Sequence, residues 1–189
     1  MEEKLRQKPS DCFKIVLFGP ESTGKTTLAK KLAAHFKTEW VEEYMREYLQ
    51  EKWDVKKELC EQEDLMKIAI GQISRENQKT ETANKLLFCD TDLLELAVYS
   101  KAYYNEYCDP AILKQALSNR YDLYFLTNID VPWVPDDLRD KPHDREDMFN
   151  KFKNALQFYE KPFIELKGNE TDRFDSAVKA INELVKLRH

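Results

Sequence analysis

The segment that most constrains the fold of this 189-residue chain is residues 19–26, which read Gly-Pro-Glu-Ser-Thr-Gly-Lys-Thr and are named here the phosphate loop. The chain has four glycines, and Gly19 and Gly24 are two of them. Glycine allows backbone angles that a Cβ forbids, so a loop with this spacing can turn successive N–H groups inward and form a nest for an anion. The pattern matches G-x-x-x-x-G-K-[ST], in which the lysine reaches the β- and γ-phosphates of a nucleotide and the hydroxyl reaches Mg²⁺.

The residues on either side of the loop agree with this interpretation. Residues 13–18 form an apolar, β-branched and aromatic run, which predicts a buried strand. After the loop, Leu28, Leu32 and Phe36 follow one another at four-residue spacing, which is typical of a helix with one apolar face. Strand, loop and helix is the order that a nucleotide-binding loop requires, so a nucleoside triphosphate is the expected ligand. The candidate nucleotide-binding residues are Gly19, Glu21, Ser22, Thr23, Gly24, Lys25, Thr26 and Thr27.

Further apolar runs predict the rest of the sheet. Residues 40–41, 86–89, 124–126 and 163–166 have strand character, and helical patterns separate them, among them residues 42–53 and 61–84. Strands that alternate with helices form a parallel sheet. The sequence therefore predicts an α/β fold of the P-loop NTPase type, with three α/β/α layers, a parallel five-stranded sheet and a short lid.

The domain organisation follows from composition. Residues 1–11 are charged and are expected to form a flexible lead-in, and 12–189 to form a single domain. The segment 132–147 contains three prolines and many charges, with little room for a core face. This composition favours a mobile loop or lid.

Composition also excludes several partners. The formal net charge of −5 argues against a nucleic-acid partner, whose phosphates need clustered Lys and Arg. No apolar run approaches the length of a membrane span, and the first residues lack the apolar segment of a secretory signal. The four cysteines are far apart with no C-x-x-C pair, so reduced thiols and a cytoplasmic location are expected. They are Cys12, Cys60, Cys89 and Cys108.

Two carboxylates follow the third predicted strand. Asp90 ends that strand, where a second carboxylate of a nucleotide site would hold Mg²⁺ together with Thr26. Asp92 is a candidate substrate-binding residue. The alternative is that Asp90 or Asp92 caps the helix that begins near Leu93.

A second charged segment follows the short second strand. The carboxyl ends of parallel strands face the ligand crevice, so Glu43 could accept the proton of an attacking hydroxyl and Arg46 could bind substrate oxygens. Asp90 is the second candidate for the general base. The alternative for Glu43 and Arg46 is a solvated helix face with an i,i+3 ion pair.

Two arginines, Arg139 and Arg145, lie in the predicted lid. Arginine on a closing lid can stabilise charge on a transferring phosphoryl group, so both are candidate catalytic residues. The alternative is that they are solvated loop residues.

Four segments together resemble the nicotinamide riboside kinase domain of the bacterial NadR family, along residues 13–187. They are Gly-Pro-Glu-Ser-Thr-Gly-Lys-Thr-Thr-Leu, Glu-Glu-Tyr-Met-Arg-Glu-Tyr, Leu-Phe-Cys-Asp-Thr-Asp and Asp-Asp-Leu-Arg-Asp. The resemblance implies a P-loop kinase, similar to AAA-type ATPases, that uses ATP and Mg²⁺ to phosphorylate the 5′-hydroxyl of nicotinamide riboside. The product would be nicotinamide mononucleotide, in NAD salvage.

The resemblance also implies roles for individual residues. Lys25 and Thr26 would serve the ATP site, Asp90 the metal, and Arg139 the lid. The nucleoside pocket would include Glu43, Tyr44 and Arg46, and Trp40 or another ring would stack on the base. Two other functions remain open, a kinase for a different nucleoside or small metabolite and a nucleotide-switched regulatory ATPase.

Overall fold

The computed structural model describes residues 2–133 and 144–187. A short 3₁₀ helix, Glu2–Leu5, precedes the first strand. The five strands are β1 (Phe13–Phe18), β2 (Glu39–Val41), β3 (Leu86–Asp90), β4 (Leu123–Thr127) and β5 (Phe163–Leu166). The α-helices of the described ranges are α1 (Lys25–Phe36), α2 (Tyr44–Lys56), α3 (Asp64–Thr80), α4 (Leu93–Tyr103), α5 (Pro110–Ser118), α6 (Arg145–Phe158) and α7 (Glu170–Lys186).

The strands form one parallel sheet in the order β2-β3-β1-β4-β5. Strands β1, β3 and β4 are buried along their whole length, which explains why apolar residues dominate each of them and do not alternate with polar ones. In the register of β1 with β3, Leu17 lies opposite Asp90, so the phosphate loop and the end of β3 are neighbours. The predicted fold class, including the five-stranded parallel sheet, is confirmed.

Helices cover both faces of the sheet because successive strand side chains alternate in direction. In β1, Val16 and Phe18 point into one core with α3, α4, α5 and α6, and α2 packs on its edge. Ile15 and Leu17 point into the other core, with α1 and α7. No helix in the described part of the chain is long and apolar enough to cross a membrane.

The amino-terminal segment, which was expected to be a flexible lead-in, packs against the domain in the structure. The side chain of Leu5 is fully buried in the core beside α3 and α5. Gln7 donates a hydrogen bond to the buried carboxylate of Glu76, which also pairs with Lys14 at 2.8 Å. This packing could not be predicted from the sequence, because Leu5 stands among charged residues and charge dominates the composition of the segment.

Three helices differ from the sequence prediction. Helix α2 was expected from residue 42, but Glu43 has an extended backbone and the helix begins at Tyr44. Helix α3 is shorter than the predicted 61–84. Helix α6 was not predicted, although its buried residues have helical spacing, and it takes in residues 145–147 of the expected lid. Residues 134–143 of that lid lie outside the described residues.

Candidate active site

The phosphate loop depends on its two glycines. Gly19 has a φ of +133°, and a Cβ there would lie 3.0 Å from both the carbonyl oxygen and the Oγ1 atom of Thr127. Gly24 has a φ of +83° and directly precedes α1. No side chain of the described residues caps this helix at Gly24, so its first N–H groups remain available for an anion.

Thr23 anchors the loop to the sheet. Its hydroxyl is buried, donates to the Pro20 carbonyl at 2.7 Å and lies 2.7 Å from the hydroxyl of Thr127 in β4. The side chain of Thr23 is therefore a structural support of the loop, and Thr23 is also one of the residues that line the cavity described below.

A buried arginine that the sequence analysis missed fixes the same part of the loop. Arg173 of α7 donates from Nη1 to the carbonyl of Thr23 at 2.6 Å and from Nε to the carbonyl of Gly168 at 2.9 Å. Its Nη2 atom donates to the Asn128 carbonyl and pairs with Asp130. Nothing in the local sequence of α7 marks Arg173 as more than a surface charge, so tertiary structure alone gives it this role.

Lys25 is folded back onto the loop. Its Nζ atom donates to the carbonyls of Gly19 at 2.6 Å and Pro20 at 2.9 Å, and lies 3.2 Å from Oε1 of Glu95 in α4. Burial acts to lower the pKa of Lys25, but the negative charges of Glu95 and its neighbours outweigh burial and raise it. Burial raises the pKa of Glu95 to about 8. Glu95 could not be predicted from the sequence, because its helical neighbours give no sign of its contact with the loop.

Thr26 and Asp90 lie together, as predicted. The Thr26 hydroxyl donates to Oδ2 of Asp90 at 2.5 Å. The Oδ1 atom of Asp90 is buried and has no hydrogen-bond partner among residues 2–133 and 144–187. Burial, with the nearby charge of Glu43, raises the pKa of Asp90 to about 6.

These two residues fit a magnesium ion. Mg²⁺ takes few protein carboxylates and keeps several waters, so one hydroxyl and one carboxylate with an oxygen to spare are suitable ligands. Thr26 and Asp90 would hold the ion, and Mg²⁺ would offset charge on the phosphates of a nucleotide.

A cavity of about 550 Å³, named here the central cavity, extends from the phosphate loop to α2 and α4. Glu43 and Arg46 border it on the α2 side, as the sequence analysis expected. Its lining comprises Glu21, Ser22, Thr23, Gly24, Lys25, Thr26, Thr27, Glu43, Met45, Arg46, Leu49, Glu58, Leu59, Cys60, Leu65, Tyr99, Ser100, Tyr103 and Tyr104. Its volume lies in the range of small-molecule sites.

Three aromatic side chains also line the central cavity and are named here the tyrosine wall. Tyr99, Tyr103 and Tyr104 of α4 and its carboxyl end contribute three rings. The Tyr104 hydroxyl donates to the carbonyl of Cys60 at 2.9 Å, which ties α4 to the connection between α2 and α3. The four-residue spacing of Tyr99 and Tyr103 indicates that they share one helix face, but the same spacing is equally typical of residues packed in the core.

Two aromatic residues proposed for substrate binding lie elsewhere. The ring of Tyr44 packs on Gly71, where a Cβ would come within 2.2 Å of it, and Arg75 lies 4.9 Å from the ring centroid. Trp40 faces the core of α1 and α7, with the Lys30 ammonium 5.1 Å from its ring centroid. Neither residue lines the central cavity formed by the described residues, so the structure gives no support for a direct substrate contact by Tyr44 or Trp40.

Asp92 acts as the cap of α4. Its Oδ1 atom accepts the backbone N–H of Glu95 at 2.9 Å, and its Oδ2 atom accepts the Tyr124 hydroxyl at 2.8 Å. The residue is 1% exposed, and burial raises its pKa to about 6. The structure thus favours the capping alternative over a role in substrate binding.

Of the two arginines in the predicted lid, Arg145 is among the described residues and Arg139 is not. Arg145 is the first residue of α6 and donates to the carbonyls of Val131 at 3.0 Å and Ser22 at 3.4 Å. Arg145 therefore contacts the phosphate loop at the backbone carbonyl of Ser22, and it is absent from the lining of the central cavity formed by the described residues. Arg139 lies outside the described residues.

Comparison with known proteins gives consistent results. Residues 14–173 match the AAA domain family. The chain is 30% identical over 181 residues to the trifunctional NAD biosynthesis/regulator protein NadR of Salmonella typhimurium and 29% identical to that of Escherichia coli. Each match covers 94% of this chain, which spans 44% of the length of those relatives.

Solved structures show the same fold. A NadR protein in complex with NR superposes with a TM-score of 0.76 at 24% identity, over 92% of this chain and 51% of the other. The deoxyadenosine kinase of M. mycoides, with dCMP and a flexible dCDP bound, gives a TM-score of 0.67 at 14% identity, over 90% of this chain and 100% of the other. By its match over residues 14–173, the chain belongs to the AAA domain family, and its expected resemblance to NadR is confirmed.

Proposed function

We propose that this protein is a P-loop kinase that transfers the γ-phosphoryl group of ATP to the 5′-hydroxyl of nicotinamide riboside, giving nicotinamide mononucleotide. The observation that carries the proposal is the continuity of the central cavity. One space is lined by the phosphate loop together with α2 and three tyrosines. A kinase needs this arrangement, because donor phosphate and acceptor hydroxyl must meet in line.

The acceptor end suits a cationic ring. Nicotinamide riboside carries a positively charged pyridinium, which aromatic faces and carboxylates attract. Tyr99, Tyr103 and Tyr104 supply the aromatic groups, and Glu58 supplies a carboxylate on the same wall. The similarity to NadR, which has been solved with NR, supports the same substrate.

Glu43 is the proposed general base. It borders the central cavity between the loop and the tyrosine wall, and its charge acts on both Asp90 and Lys25. Its carboxylate would take the proton of the 5′-hydroxyl as that oxygen attacks the γ-phosphorus. Lys25 and the N–H groups at the start of α1 would offset the charge on the phosphates, and ADP would leave.

The test is a coupled ADP-release assay with a panel of nucleosides and small alcohols. Nicotinamide riboside should give rapid ADP release, whereas ATP alone should be hydrolysed slowly. If nicotinamide riboside fell in the background while another nucleoside was active, the substrate assignment would fail and the kinase assignment would stand. Hydrolysis that no acceptor accelerates would instead favour a regulatory ATPase.

A matched pair of variants tests the base. Glu43→Gln should lower kcat by about a hundredfold or more, because a positioned proton acceptor contributes rate factors of that order. Glu42→Gln is the control, since Glu42 is the adjacent carboxylate, is exposed and is absent from the lining of the central cavity formed by the described residues. Equal kcat values for the two variants would remove Glu43 from the mechanism and leave Asp90 as the candidate.

A further inference from the structure

Glu95 has no place in the reaction described above, yet it is among the most confined charged residues of the site. It is 1% exposed and lies in the first turn of α4. Its two carboxylate oxygens meet the phosphate loop at different points. Oε2 accepts the backbone N–H of Gly19 at 3.3 Å, and Oε1 lies 3.2 Å from the ammonium of Lys25.

The Lys25 ammonium is saturated in this conformation. It has three N–H donors. Two of them meet the carbonyls of Gly19 and Pro20, and the third is matched by Glu95. A lysine that is to hold the β- and γ-phosphates must give up some of these contacts, and the contact with a buried carboxylate is the strongest of them.

We propose that Glu95 is a positioning residue that competes with the nucleotide for Lys25. In the nucleotide-free protein it holds the ammonium against the inner side of the phosphate loop, and the β- and γ-phosphates must draw the ammonium away when they bind. The contact therefore weakens the binding of ATP and ADP, and it favours release of ADP after transfer. This inference rests on the proposed function only through nucleotide binding by the loop.

The competition depends on the two oxygens of a full-length carboxylate. Glutamine is uncharged and has one acceptor oxygen in place of two, so its contact with Lys25 is weaker. Aspartate keeps the charge but is one methylene shorter, so it draws the carboxylate back from Lys25. AMP has no β-phosphate to reach Lys25, so its binding should not depend on Glu95.

The experiment is calorimetric titration with ATP, ADP and AMP in the presence of Mg²⁺ and without acceptor, at pH 9, where the Glu95 carboxylate is charged. Glu95→Gln should tighten ATP and ADP binding by about tenfold, the size of a hydrogen bond to a charged group, and leave AMP binding unchanged. Glu95→Asp should also tighten ATP binding. Glu76→Gln is the matched control, since Glu76 is also buried in an ion pair with a lysine, Lys14, away from the loop.

A second background separates competition from simple charge repulsion. In Lys25→Ala protein, the additional change Glu95→Gln should no longer tighten ATP binding, whereas repulsion between Glu95 and the phosphates would persist there. Unchanged or weaker ATP binding in both folded Glu95 variants would overturn the inference, as would an undiminished gain in the Lys25→Ala background. Failure of wild-type protein to bind ATP would overturn this inference and the proposed function together, whereas an inactive nucleoside panel would affect only the latter.

Discussion

Replacement of Asp92 separates its two possible roles, the cap of α4 and a substrate ligand. The informative comparison is between Asp92→Asn and Asp92→Ala. Asparagine keeps an oxygen for the Glu95 N–H, and its amide can donate to the Tyr124 hydroxyl oxygen. Both variants lack the buried charge, so the difference between them reports the two hydrogen bonds and not the charge.

The magnitude follows from those two bonds. Loss of a helix cap costs about 1 kcal/mol. Tyr124 is 0% exposed, so its hydroxyl would be left buried and unpaired in the alanine variant, at a cost of about 2 kcal/mol. The free energy of unfolding should therefore be about 3 kcal/mol lower for Asp92→Ala than for Asp92→Asn, and Tm about 6–12 °C lower for a domain of this size.

Thermal unfolding followed by circular dichroism measures the stability difference, and the coupled ADP-release assay measures kcat and KM for the acceptor. A capping role predicts that Asp92→Asn keeps both kinetic parameters within about twofold of the wild type, the range of a change that removes no substrate contact. If Asp92→Asn kept the wild-type Tm but raised the acceptor KM by an order of magnitude, Asp92 would be a substrate ligand and the capping interpretation would be wrong.

Three further predictions concern the loop. Lys25→Ala should lower kcat by at least about a hundredfold with the fold retained in circular dichroism, and a near-normal rate would remove Lys25 from catalysis. Gly19→Ala should destabilise the protein by about 2 kcal/mol in urea unfolding, since a left-handed backbone and the contact with Thr127 both oppose a Cβ. Because the pKa of Glu95 is raised to about 8 from an ordinary value of 4.5, its contribution to stability is present at low pH and is lost as pH rises through that window. The free energy of unfolding should thus fall between about pH 5 and pH 8, and Glu95→Gln should reduce that fall; equal slopes would contradict it.

The sequence was sufficient for the architecture because the signals for it are local. Buried parallel strands read as short apolar runs, and the phosphate loop has a fixed spacing around Gly19 and Gly24. The pairing of Thr26 with Asp90 also followed from sequence, since both residues end or follow strands that lie side by side in this fold. Helix α6 escaped prediction because its apolar spacing begins directly after a proline-rich, charged segment.

Much of the site could not be predicted, because it depends on contacts between distant parts of the chain. Tyr44 and Asp92 have the residue types of ligands, but in the structure Tyr44 packs on Gly71 and Asp92 caps α4. Conversely, Glu95 and Arg173 look like ordinary helix charges in the sequence. Each is buried against the phosphate loop although it is distant from the loop in sequence. Glu95 is 76 residues from Gly19, and Arg173 is 150 residues from Thr23.

By itself, then, the sequence determined that this chain folds as a parallel α/β domain with a loop for phosphate, because hydrophobic period and glycine spacing act over a few neighbouring residues. Tertiary structure decided which charged side chains face that loop and which aromatic rings line the central cavity. The physical reason is that burial and ion pairing are set by residues far apart in the chain, so a carboxylate such as Glu95 acquires its raised pKa and its lysine partner only when α4 packs beside the phosphate loop.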